Sequence, residues 1–152
     1  MELLTLNFLI KKGETITMLK KTITYTDYNG QERKEDFYFN LTKSELMEME
    51  MGTTGGWANM MQGIIDAQDT PSLIKIFKEL ILKSYGEKSA DGKRFMKVVN
   101  GVNLAEAFSQ TEAYSQLFME LATDADAASK FVMGIIPAEL AEEAKKKGAI
   151  KQ

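Results

Sequence analysis

The sequence predicts an α+β fold, an N-terminal β-hairpin packed on five or six helices, and three observations carry that reading. Alternating β-branched and aromatic residues, Thr22 to Tyr28 and again Asp36 to Leu41, are confined to the N-terminal part of the chain. Helical apolar spacing with cap signals runs through the rest, and strands following helices in alternation are missing, which argues against a parallel doubly wound sheet. The 152 residues suit one core rather than two full domains.

Taken in order, Asn29-Gly30 supplies the two positive-φ positions of a tight hairpin turn, with Gln31 to Glu35 as an exposed turn end and Phe37 and Phe39 on a buried face. Thr42-x-x-Glu45 is a capping box opening a short helix to about Met51. Gly52-Thr-Thr-Gly-Gly56 stops it, and Trp57 to Ala67 starts another with Met60, Met61, Ile64 and Ile65 at helical spacing. Thr70 as cap and Pro71 at the first helical position open the central helix, Pro71 to Tyr85, closed by Gly86. Glu87 to Arg94 reads as a loop with an Asp91-Gly92 turn, and Phe95 to Val99 as either a half-turn or a short strand. Asn103-x-x-Glu106 caps a further helix, followed by helical segments Thr111–Ala122 and Asp124–Ile135. Residues 18–137 form the hairpin-plus-helices domain, and 138–152, opened by Pro137, a thin amphipathic helix with the basic tail Lys145-Lys146-Lys147. Residues 1–17 are read as a translated leader before a natural start at Met18, or as an extra strand built on Leu3, Leu4, Leu6, Phe8, Leu9 and Ile10.

Composition removes whole classes of function. With 44% hydrophobic and 27% charged residues the chain has the make-up of a folded globular protein. Nineteen Lys+Arg against 22 Asp+Glu give a net charge of −3, which supplies no field to attract nucleic acid or an anionic membrane. The absence of His and Cys rules out a Ser-His-Asp triad, a thiol nucleophile and a usual zinc site, and fits a reducing cytoplasm. No apolar run reaches the roughly 20 residues of a membrane span, and Glu2 stands where a signal peptide carries basic residues.

Four motifs invite a functional reading. Gly52 to Gly56 lacks the Lys-Ser/Thr of a phosphate-binding loop, having Trp57-Ala58 there, and reads as a helix-to-helix connection. Asp124 and Asp126 lack the turn glycine and distal Glu of a calcium loop and read as an acidic helix start. Ser84 to Phe95 holds nucleophile and acid/base residue types without a spacing that specifies a reaction, and reads as a helix end followed by a turn. Met47, Met49 and Met51 with Met60 and Met61 flank the glycine loop beside Trp57; they serve either as soft core filler or as an adaptable surface for apolar partners. On the second reading Met47, Met51, Trp57, Met60 and Met61 are the candidate partner-binding residues; no residue is assigned to catalysis, a cofactor or a metal.

The hairpin running into Phe37 to Leu46, the segment Leu82 to Phe95, the run Phe108 to Tyr114, and Phe131 to Pro137, in that order over about residues 18–137, resemble the tail assembly chaperones of long-tailed bacteriophages of Gram-positive hosts. That resemblance implies a non-catalytic protein of the infected bacterial cytoplasm that coats the apolar helical tape-measure protein during tail assembly, with self-association. Such chaperones are often made in two lengths by ribosomal slippage, and Lys145-Lys146-Lys147 is compatible with a slippery codon run. The rival expectation is a connector or tail-completion protein retained in the virion.

Overall fold

The computed structural model describes residues 18–137; the expectations placed on 1–17 and on 138–152 fall outside the described residues. The chain begins with the antiparallel hairpin β1 (Leu19–Thr26) and β2 (Glu32–Phe39), in register from Leu19 opposite Phe39 to Thr26 opposite Glu32. Helices α1 (Lys43–Met51), α2 (Trp57–Asp66) and α3 (Thr70–Ser84) follow. Helix α3 feeds directly into β3 (Tyr85–Lys88), which pairs with β2 and then with β4 (Phe95–Met96), giving a four-stranded sheet ordered β1-β2-β3-β4. A separate small hairpin, β5 (Val98–Val99) and β6 (Val102–Asn103), leads into α4 (Leu104–Ser109), α5 (Glu112–Thr123) and α6 (Ala125–Ile135). The α+β expectation holds, with six helices among the described residues, but strands are not confined to the N-terminal part, since the short β3 to β6 lie between α3 and α4.

One face of the hairpin packs on the core through Leu19, Ile23, Tyr25, Phe37 and Phe39 and the other is mostly exposed, as in a half-buried ribbon. Ile23 and Tyr25 of β1 are buried while Lys20, Thr22, Thr24 and Thr26 face out. Helices α3 to α6 supply the other side of the core, each through one stripe: Ile76, Leu80 and Ile81 from α3, Ala113, Leu117 and Leu121 from α5 at successive fourth positions. Phe39, fully buried at the end of β2, meets Tyr85, Phe108 and Phe131 edge-on at 5.3–5.8 Å, and Tyr85 stacks flat on Phe108 at 4.2 Å. The Leu41 N–H donates to the Ile135 carbonyl at 2.7 Å, fastening the exit of the hairpin to the end of α6.

Caps were largely legible. Thr42 and Glu45 form the expected capping box, and Asn103, Thr111 and Asp124 each accept backbone N–H groups at the starts of α4, α5 and α6. Five local readings need correction, the first being that Glu87 and Lys88, expected in the Glu87–Arg94 loop, are strand because they pair with Met96 and Phe95. Of Asn29 and Gly30 only Gly30 has positive φ, at 82°, so the turn is a three-residue loop with its glycine in the left-handed region; Asp27 organises it by accepting the N–H groups of Asn29 and Gln31. Because that loop ends at Gln31, Glu32 to Glu35 are strand rather than turn end. Asp69, whose carboxylate accepts the Ser72 N–H and hydroxyl, caps α3 in place of Thr70. Gly86 does not stop α3 but lies in β3, where an added Cβ would sit 2.7 Å from the Met96 carbonyl and from the Phe95 ring.

Candidate partner-binding site

The five candidate residues lie on α1 and α2, joined by the glycine loop. Helix α1 is held at its start by the capping box and buries no side chain fully. Its inner row, Glu45, Leu46 and Met49, is half-buried, with Leu46 and Met49 packed against the core. The outer row carries Met47 and Met51, one turn apart, exposed by 59% and 79%. On α2 the pattern is reversed: Trp57, Met60, Met61 and Ile64 are half-buried against the core, and Ala58, Asn59, Gln62 and Gly63 face out. The five residues therefore do not form one exposed patch. Met47 and Met51 are surface; Trp57, Met60 and Met61 are the seam by which α2 sits on the core.

The loop between the helices consumes its own polar groups. The Gly52 N–H donates to the Glu48 carbonyl, the Gly56 N–H to that of Thr53, and the Thr53 hydroxyl to that of Met49, all at 2.8–2.9 Å. Glu50 reaches across the loop and accepts the Ala58 N–H at 3.0 Å, so a carboxylate of this chain occupies the start of α2. Gly56 lies under that carboxylate at φ 92°, a left-handed conformation that favours glycine. The loop is a helix-to-helix connection, as expected.

The polar stretch Ser84 to Phe95 is likewise absorbed by structure. The buried Ser84 hydroxyl donates to the Leu80 carbonyl at 2.6 Å and lies 3.2 Å from that of Ile81. The Ser89 hydroxyl donates to Asp91 at 2.6 Å and accepts the Arg94 N–H at 3.0 Å, closing the β3–β4 turn; the Asp91 carboxyl is held below its ordinary range by that hydroxyl and by the Lys93 N–H. Burial pushes the Tyr85 phenol up to about 12. Asp124 accepts the N–H groups of Asp126 and Ala127, the expected helix start. Among the described residues no group of three acidic side chains is placed to hold a metal ion, and no helix is long and apolar enough to cross a membrane.

Lys97, which the sequence reading passed over, links the α3–β3 junction to the start of α1. Its ammonium donates to the carbonyls of Lys83 at 2.7 Å and Tyr85 at 3.1 Å, caps the end of α3, lies 5.0 Å over the Phe95 ring, and approaches Glu45 of the capping box at 3.9 Å. Burial pulls its pKa down, opposed by Glu45. The available signal was a lone lysine inside the apolar run Phe95-Met96-Lys97-Val98-Val99, where a charge needs a specific partner.

Among the described residues, the polar motifs singled out in the sequence serve helix caps and turns, and Met47 and Met51 lie exposed on the outer row of α1. The chain belongs to the phage tail assembly chaperone family, whose model matches residues 18–152. No match was found among curated proteins or among solved structures. The family is non-catalytic, and membership implies tail proteins as partners.

Proposed function

We propose that this chain shields the apolar helical tape-measure protein in the cytoplasm of the infected bacterium while the tail is assembled. The family match over residues 18–152 carries the reading. The outer row of α1 supports it: Met47 and Met51 put flexible, polarizable thioethers on a helix with no fully buried side chain, a surface that adapts to varied apolar stripes at little cost. Trp57, Met60 and Met61 lie half-buried on the neighbouring α2 and become available to a partner if α1 and α2 part.

Co-expression with the tape-measure protein of the same genome, read as the soluble fraction of that partner and its co-purification, tests this. The expected result is a soluble partner travelling with this chain. In the double variant Met47→Ser, Met51→Ser recovery of the partner falls several-fold while the stability of the chain itself moves by no more than about 0.5 kcal/mol, as for other exposed positions. A partner that stays insoluble with this chain and with any frameshifted longer product, together with detection of this chain in purified virions by mass spectrometry, overturns the reading in favour of a retained structural component.

A further inference from the structure

Among the described residues the sheet has one long edge with no strand paired to it, that of β1. The Asp27 N–H donates to the Gln31 carbonyl at 2.8 Å, which makes Asp27 and Gln31 a hydrogen-bonded pair. Antiparallel alternation then makes Tyr25/Arg33, Ile23/Glu35, Lys21/Phe37 and Leu19/Phe39 the other hydrogen-bonded pairs of the ladder. The backbone N–H and C=O groups of Lys20, Thr22, Thr24 and Thr26 point away from β2, toward the edge. The same parity holds on the other side of β2, where the Asn40 N–H donates to the Ser84 carbonyl at 2.7 Å.

Among the described residues the other free edges are short or charged throughout, and that of β1 is neither. At the opposite end of the sheet β4 is only two residues long. Beyond its pairing with β3 at Tyr38 and Phe39, the open half of β2 is charged at every position, Glu32-Arg33-Lys34-Glu35-Asp36. In β1, by contrast, charge is confined to Lys20 and Lys21, and Thr22 to Thr26 is an uncharged, β-branched and aromatic run with no proline and an unbroken register.

We propose that β1 pairs antiparallel with β1 of a second copy, Ile23 facing Ile23 across the two-fold axis, joining two four-stranded sheets into one. This register puts Lys20 opposite Thr26 and Thr22 opposite Thr24, so every edge N–H and C=O of the four residues finds a partner. On the outer face threonine meets threonine, a favourable cross-strand pair, and no like charges stand opposite one another. A shift of two residues leaves an end pair unmatched. A shift of one sets the buried face of β1 against the polar face of its copy. Edge pairing needs nothing from the chaperone reading.

The full chain has no cysteine, so single-cysteine variants report one contact each. Hydrogen-bonded antiparallel neighbours lie about 5.5 Å apart at Cα, within disulfide reach. Under mild oxidation a mixture of Thr22→Cys and Thr24→Cys chains is expected to give a covalent dimer that neither variant gives alone. Light scattering of the wild type should rise with concentration toward twice the 17.1 kDa chain mass. Thr24→Pro, which deletes an edge N–H and none of the β1–β2 bonds, should stay monomeric with an unchanged circular dichroism spectrum. If that variant unfolds, the crosslink still decides. No crosslink in the mixture, or an equal crosslink in either variant alone, overturns the pairing; so does exchange protection of the Thr22 and Thr24 amides that persists at every dilution, which marks an edge covered within one chain.

Discussion

At the scale of the residue, two positions show how close contact dictates identity. Gly86 has no room for a side chain between the Met96 carbonyl and the Phe95 ring, each 2.7 Å from where a Cβ would stand. Gly86→Ala should therefore cost about 1–3 kcal/mol, in the range of overpacked sites, measured by urea unfolding. Lys97 gathers two carbonyls of the α3–β3 junction, an aromatic face and Glu45 onto one ammonium. Lys97→Met keeps the stem and deletes the donor. It should speed amide exchange in α1 more than in α5, because α1 has no fully buried side chain to hold it otherwise. Neither residue announces its role in the sequence. Gly86 follows a helix and looks like its stop; Lys97 sits in an apolar run, and its partners come from residues 45, 83 and 85. Both roles depend on what the chain folds against them.

At the scale of the element, local chemistry was readable wherever a side chain acts on its own backbone. Thr42, Asn103, Thr111 and Asp124 cap helices within two or three residues of themselves, so spacing alone reveals them. Thr42→Ala should cost about 1 kcal/mol, read as faster exchange confined to α1. The hairpin was readable as a hairpin, but its loop was misassigned, because Asp27 accepts N–H groups ahead of the turn and moves the closing position to Gln31. The start of α3 failed similarly: Asp69 and Thr70 are both competent caps, and the carboxylate one residue earlier is the one that reaches Ser72. The candidate binding residues were found as a cluster in sequence and are divided in space. Helical phase puts Met47 and Met51 outside, while packing turns Trp57, Met60 and Met61 inward.

At the scale of the whole molecule, stability rests on one core shared by the hairpin and the later helices. Leu117, 1% exposed in α5, is expected to cost about 2–5 kcal/mol when replaced by alanine, as buried leucines do. Alkaline pH should destabilise the fold. Burial raises Tyr85 to about 12 from an ordinary 10.0, so between those values the folded state keeps a proton the unfolded state has lost, and stability falls as pH rises. Tyr25, raised by its hydrogen bond to Glu35, and Tyr114, raised by burial, act with the same sign; Lys97, lowered by burial, acts with the opposite sign as pH rises toward 10.5. Urea unfolding between pH 9 and 11.5 should show the decline, and Tyr85→Phe should make it shallower. The sequence by itself determined the α+β class, the order of hairpin and helices, most of the helix starts and the exclusion of histidine and cysteine chemistry, because each depends on residue type or on spacing within a turn or two. Only the tertiary structure decided the sheet order β1-β2-β3-β4, the direct passage of α3 into β3, which methionines face outward and which strand edge is left unpaired among the described residues. Those outcomes are set by contacts between residues far apart in the chain, where competing burial of apolar surface, and not local preference, selects the arrangement.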